Sequence, residues 1–258
     1  MASRQLKQIN LLGVKITSCT GAELNSHICQ TIKTGRKELI LNVNVNCMNL
    51  AWGLPWLRQL LNEAPVVFCD GEGVRLGARL VGLRIPEKIT YNRWIYQLAE
   101  LSESLSFTWY LVGARQQVIE EAEKKLKSKY PNLEILGFRS GYFSNSGDVD
   151  QTVADINSQK PNILILGMGM PGQEKWSAEN FYRLQTNVVL TGGAVFDYVS
   201  GHARMTPDVF YRLKLEWLYR LMLEPLRLFN RYVIGNPLFL MRVIVHELLK
   251  INRPSWMA

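Results

Sequence analysis

The feature that most constrains this chain is an alternation that runs through its first two hundred residues. Short apolar runs, each ended by a polar or glycine-rich turn, give way to stretches with helical spacing. ELILNVNVN leads into CMNLAWGLPWLRQLLNEA, PVVFCDGEG into VRLGARLVG, and FTWYLVGAR into QQVIEEAEKKLKSKYP. NILILGMGMPGQ then precedes EKWSAENFYRLQ, and NVVLTGGAV precedes FDYVSG. Apolar runs without period-two alternation are strands buried on both faces, and helices between them make the sheet parallel. The pattern therefore predicts an α/β fold over residues 1–200: a Rossmann-like, mostly parallel sheet with helices on both faces.

In such sheets ligands bind beyond the carboxyl ends of the strands. Five predicted exits carry polar residues or glycines: Asn42, Asn44 and Asn46; Asp70; Gly113; Gln173; and Gly192 with Gly193. Their convergence on one edge marks the candidate site. An Asp before Gly is also a common turn former or helix N-cap, so Asp70 has a purely structural reading. The glycines of DGEG and GMGMPG fit neither the G-x-G-x-x-G fingerprint nor a P-loop, which argues against a nicotinamide-dependent oxidoreductase.

From about Gly201 the alternation stops and the chain turns aromatic, aliphatic and arginine-rich. Residues 201–258 are expected to form a helical basic appendage. At about 100° per residue, Arg212, Arg220, Arg227 and Arg231 fall within one quadrant of a continuous helix, with Pro225 as the point where that helix breaks or kinks. Apolar residues cover much of the remaining circumference, so this helix is either packed on the core or dipped into a lipid interface. The formal charge of +8 calls for an anionic partner. No nucleic-acid module accompanies it, so nucleic acid is not expected. The start of the chain lacks a signal-peptide pattern, no run is long enough to span a bilayer, and four scattered cysteines suit reduced thiols in the cytoplasm. His27, His202 and His246 are not spaced as a metal-ligand set.

Taken in order, LLGVKI, Asn42–Asn46, DGEGV, GYF at Gly141–Phe143, GMGMPGQEKW, GGAVFDYVSG and LEWLYRLMLEPLRLFNRY resemble the WecG/TagA/CpsF family of bacterial glycosyltransferases over nearly the whole chain. The resemblance implies inverting transfer of a sugar from a UDP-sugar donor to a lipid-linked saccharide acceptor, undecaprenyl-diphosphate-linked, with no cofactor and no required metal. It places the protein in cell-surface polysaccharide biosynthesis, peripheral at the cytoplasmic, inner face of the bacterial plasma membrane. The appendage would help association with an anionic membrane surface and close the active site, and a homo-oligomer is an expectation of the same kind. Carried over by motif, Asp70 is the general base and Gln173 contacts sugar or acceptor, with Pro171 and Glu174 in the same P-x-Q-E segment. Asn42, Asn44, Lys88, Gly113, Gly192, Gly193 and Asp197 would bind substrate, while Arg204, Arg212, Arg220, Arg227 and Arg231 would neutralise diphosphate or meet the membrane.

The chain departs from the family pattern in places. Asn42 and Asn44 stand where Thr and Asn are usual, and Lys88 stands for an Arg, which keeps the charge and loses the bidentate fork. Tyr91-Asn92-Arg93 replaces Gly-x-Asp, and Met205-Thr206-Pro207 replaces R-A-P. An altered donor sugar is one reading of these changes, with Arg93 as a site that would tolerate a uronate. A nucleotide-binding module that has lost catalysis and recruits partners to the membrane is the main alternative.

Overall fold

A computed structural model describes residues 6–251. A hairpin of β1 (Gln8–Leu11) and β2 (Val14–Thr17) opens the chain. A six-stranded sheet follows, built from β3 (Glu38–Val43), β4 (Val66–Cys69), β5 (Trp109–Gly113), β6 (Ile135–Arg139), β7 (Ile163–Gly167) and β8 (Val188–Thr191). Its strand order is β4-β3-β8-β7-β5-β6, and every pairing in it is parallel. The fold class read from the alternation is the one observed.

The sheet is buried on both faces, and alternate residues of each strand divide between two apolar clusters. Leu39, Leu41, Val67, Val112, Leu164 and Val189 point to one face, with Met48, Leu57, Val74 and Val153 from the helices covering it. Ile40, Phe68, Leu111, Ile165 and Leu190 point to the other, against Leu24, Ile28, Leu98, Ile119 and Phe196. That is the period of two expected of strands, hidden in the sequence because both faces are dry. The β1–β2 hairpin covers the β4 edge, where Thr17 Oγ1 accepts from the Val67 N–H at 3.0 Å. An otherwise open strand edge is thereby closed.

After the short helix Val195–Val199 no further strand is present among the described residues. The appendage is not one continuous helix: it breaks at Pro225, where the sequence allowed a break, and also at Lys214. It comprises helices Asp208–Arg212, Glu216–Leu223 and Pro225–Phe229, a π-helical turn at Asn230–Ile234, and a helix at Gly235–Ile251. Lys214 breaks the run with a left-handed backbone (φ 62), and Pro225 starts a new helix where it lacks only an N–H that would be unpaired anyway. The last helix docks on the core through Phe239 and Val243, both buried. A close approach makes this possible, since a Cβ on Gly77 would stand 2.7 Å from the Phe239 ring. Asn49 reinforces the contact, donating to Gly235 O and accepting from Arg242, each at 2.8 Å. Among the described residues no helix is long and apolar enough to cross a membrane.

Candidate active site

Strands β4, β3 and β8 lie side by side, so their carboxyl ends deliver Asp70, Asn44 and the Gly192–Gly193 turn to one edge. The appendage roofs this edge and encloses a cavity of about 720 Å³. Its lining includes Asn42, Asn44, Asp70, Lys88, Gly192 and Gly193 from the core, and Arg220, Arg227 and Arg231 from the appendage.

Asp70 is neither an N-cap nor a turn former here. Gly71 precedes helix Glu72–Leu80 and no side chain caps it. The Asp70 carboxylate instead accepts from Asn42 Nδ2 at 3.2 Å and from the Tyr91 backbone N–H. Asn42 sits within β3, buried, and its Oδ1 accepts from Thr191 Oγ1 at 3.4 Å. Three neighbouring strands thus fix one carboxylate. Burial, with the Glu216 carboxylate nearby, pushes the Asp70 carboxyl up to about 7, against the pull of Arg220 and Lys88. Asn44 has two duties: it lines the cavity and caps helix Val45–Gly53, accepting from Cys47 N–H at 3.1 Å.

Positive charge comes from across the cavity. Arg220 and Arg231 form no ion pair among the described residues, and Arg220 Nε is buried without a hydrogen-bond partner. Burial, with Arg220 close by, lowers the pKa of Arg231, the mark of cations held together out of water. Arg227 has a partner, Glu224, which accepts from Nη2 at 2.6 Å. Two guanidinium groups without counterions facing one cavity make a site for an anion of high charge.

Lys88 is bound to the appendage, paired with Glu216 and stacked 4.1 Å over the Tyr211 ring. Arg93 lies outside the lining, so the uronate reading loses its basis. It pairs with Asp208 at 2.9 Å, donates to Thr206 O at 2.9 Å, and places its guanidinium carbon 4.0 Å from the centre of the same Tyr211 ring. Lys214 pairs with Glu72 at 3.3 Å. Core and appendage are therefore joined by three ion pairs around the cavity.

Several expected site residues do not line it. Gly113 packs on the backbone of Gly167, where any Cβ would collide, which explains the glycine without a ligand. Gln173 and Glu174 are buried beneath the cavity wall: Gln173 Oε1 accepts from the Gly193 N–H at 2.9 Å, and its Nε2 donates to Glu174 Oε1 at 2.8 Å. They shape the Gly192–Gly193 turn. Burial pushes the Glu174 carboxyl up to about 7. Pro171 precedes helix Gly172–Asn180, and Asp197 stands half-buried outside the lining, with its pKa raised by burial. Arg204 and Arg212 are exposed and also outside it. For Arg212 the reason is the break at Lys214, which removes it from the helix that carries Arg220.

Sequence reasoning gave no role to Glu216 or Thr90, both in the lining, where Tyr91 and Asn92, singled out as departures from the family pattern, also stand. Thr90 Oγ1, Tyr91 OH and Asn92 Oδ1 are buried without hydrogen-bond partners among the described residues. The acid in LEWLYRL was the available signal for Glu216; nothing in the local sequence distinguished Thr90. Among the described residues there is no group of three or more His, Cys, Asp or Glu suited to a metal ion.

A sequence model of the Glycosyl transferase WecG/TagA/CpsF family matches residues 9–253. The chain is 25% identical over 248 residues to the N-acetylglucosaminyldiphosphoundecaprenol N-acetyl-beta-D-mannosaminyltransferase of Bacillus spizizenii, covering 96% of this chain and 93% of that protein. It is 30% identical over 189 residues to the protein of that name in Bacillus subtilis, covering 73% and 72% of the two chains. The Staphylococcus aureus counterpart shares 24% over 220 residues, with 84% and 85% covered.

Proposed function

The chain belongs to the WecG/TagA/CpsF glycosyltransferase family, and on that premise we propose that it moves a sugar from a UDP-sugar to a hydroxyl of a polyprenyl-diphosphate-linked saccharide. The similar Bacillus and Staphylococcus enzymes are named for a diphosphoundecaprenol-linked N-acetylglucosamine acceptor, and that acceptor class is carried to this chain by proposal. One observation carries the reading: a carboxylate on the sheet edge faces arginines without counterions across a single cavity.

In the proposed reaction the acceptor oxygen attacks the anomeric carbon while its proton passes to the Asp70 carboxylate. The bond from that carbon to the diphosphate oxygen breaks, and its electron pair leaves with UDP. Asp70 suits the first task because a base with a pKa of about 7 is about half ionised at neutral pH and basic enough to take the proton. Arg220 and Arg231 suit the second, since guanidinium groups pair with phosphate oxygens and stabilise charge as it develops. The base and the cations on opposite walls favour a single in-line displacement, hence inversion. Thr90, Tyr91 and Asn92 offer polar groups to the sugar. With that acceptor class the protein would work at the inner face of the bacterial plasma membrane, bound peripherally.

A thermal-shift titration with UDP, GDP, CDP, UDP-sugars and NAD in chelator, followed by transfer to a water-soluble, short-chain diphosphate acceptor, tests this. Stabilisation grows as ligand concentration exceeds Kd, so the nucleotides can be ranked. A UDP-selective shift with transfer supports the proposal. UDP binding without transfer to any acceptor would favour the inactive module, and a shift with NAD alone would overturn the assignment.

A further inference from the structure

Helix Glu72–Leu80 turns its buried face to the sheet and its first turn to the cavity, which leaves an outer face without protein cover. Leu76 is 43% exposed and Leu80 53%, a high value for two leucines one turn apart. Between and beside them stand Arg79 and Arg84, both exposed, and neither forms an ion pair among the described residues. The loop that carries Arg84 is fixed. Arg75 donates to Ile85 O and Pro86 O, each at 3.3 Å, and Ser18 Oγ donates to Arg84 O at 2.9 Å. The acids nearby are occupied: Glu72 by Arg75 and Lys214, Glu87 by the Gly21 N–H at 2.8 Å. A second cavity of about 360 Å³ lies between these arginines, and Arg79 borders it and the catalytic cavity alike.

Two further features locate the surface. Gly77 puts this helix in direct contact with Phe239 and Val243, so its leucines adjoin helix Gly235–Ile251. That helix in turn exposes Met241, Ile244 and Val245 at one-turn spacing. Leu76, Arg79, Trp217 and Leu240 from these elements and the helix between them also line the catalytic cavity.

From this juxtaposition we infer that the core itself carries a membrane-docking ledge, in which Leu76 and Leu80 enter the headgroup region of an anionic bilayer while Arg79 and Arg84 bind lipid phosphates. Exposed leucines flanked by arginines without counterions are what an interfacial helix presents to anionic lipid. The inference rests on the proposed acceptor being lipid-linked: the ledge would set the cavity mouth against the bilayer, with the saccharide reaching Asp70 and the prenyl chain remaining in lipid. Bilayer contact would then be shared between core and appendage.

The test uses the full chain and two ledge positions outside the catalytic lining, Arg84 and Leu80. Arg84→Gln with Leu80→Ser should weaken flotation with vesicles of 30% phosphatidylglycerol in phosphatidylcholine by about fivefold or more, since each basic residue near such a surface is worth about 1 kcal/mol. Turnover on the water-soluble acceptor without vesicles should be unchanged, and that assay reads the proposed transferase activity separately. A nitroxide at Leu80→Cys, in a Cys29→Ser background, should become accessible to oxygen and shielded from a water-soluble nickel complex when the vesicles are added. Wild-type flotation by a folded Arg84→Gln, Leu80→Ser variant, or a probe that stays in water, overturns the ledge. So does equal binding to vesicles of pure phosphatidylcholine.

Discussion

The sheet core and the appendage use the same apolar residues to opposite ends. In the core, strand residues such as Leu41, Phe68, Leu111 and Ile165 are completely buried, and each face of the sheet has its own closed cluster. In the appendage, helices Asp208–Arg212 and Glu216–Leu223 bury no residue, and Leu226 is 96% exposed. Leu228, Phe239 and Val243 are the buried apolar side chains among its described residues. Hydrophobicity in the core stabilises the fold, whereas in the appendage much of it stays exposed. The charges divide as well: the proposed base stands on the sheet, and the arginines that face it stand on the appendage.

Substitutions can test this division. The largest effect is expected at Asp70. Asp70→Asn should lower turnover by about 10²- to 10⁴-fold, the usual range for acid–base catalysis, while UDP binding persists in the thermal-shift assay. Unchanged turnover would move the base elsewhere. The same variant should be more stable than wild type at pH 8. A carboxyl raised from 3.8 to about 7 by folding costs stability as pH climbs through that interval, and the cost remains in full above it. The advantage in Tm should therefore shrink to nothing towards pH 4. In the wild type, kcat/KM should fall tenfold per pH unit below about 7, where Asp70 takes up its proton.

Leu41→Ala should follow, lowering stability by about 2–5 kcal/mol through the cavity it leaves, as measured by denaturant unfolding. Removing one partner of the Lys88–Glu216 pair, as in Lys88→Met, should cost about 3 kcal/mol, because Glu216 is left with its charge largely out of water. Pairing that change with Glu216→Leu should recover much of the loss. If the double variant recovers nothing, the pair does not hold the appendage down. The smallest effect is expected from Leu226→Ser, within about 0.5 kcal/mol in stability, as for surface positions generally. A large loss there would mean that the appendage is packed in solution by a surface the single chain does not show.

The legible parts of the molecule were those where local pattern and tertiary environment agree. The five strand runs could be read because dry faces demand unbroken apolar residues, and Asp70 because a carboxylate at such a strand end stands out. The β1–β2 hairpin and β6 passed unread. Their runs are short, and β6, with only Ile135 buried, carries a mixed pattern. Gln173 was placed at the correct strand exit, but sequence could not show that its amide turns inward to the Gly193 N–H. Arg212 was misplaced because angular arithmetic assumes a continuous helix, and Lys214 adopts a backbone that ends one. Glu216 entered the site through a pairing with Lys88 across 128 positions, which no local pattern encodes.

The order β4-β3-β8-β7-β5-β6 also has a consequence for biosynthesis. The last strand made, β8, lies at the centre, and it alone joins the β3–β4 pair to the β5–β6–β7 group. Until residues 188–191 leave the ribosome, β3 and β7 each hold an apolar edge open, and such edges are where nascent chains stick to one another. The strand that closes them also supplies Thr191 and the Gly192–Gly193 turn. A nascent chain therefore cannot complete the floor of the candidate site before its sheet is whole, and the window of greatest risk for aggregation ends as that site takes shape.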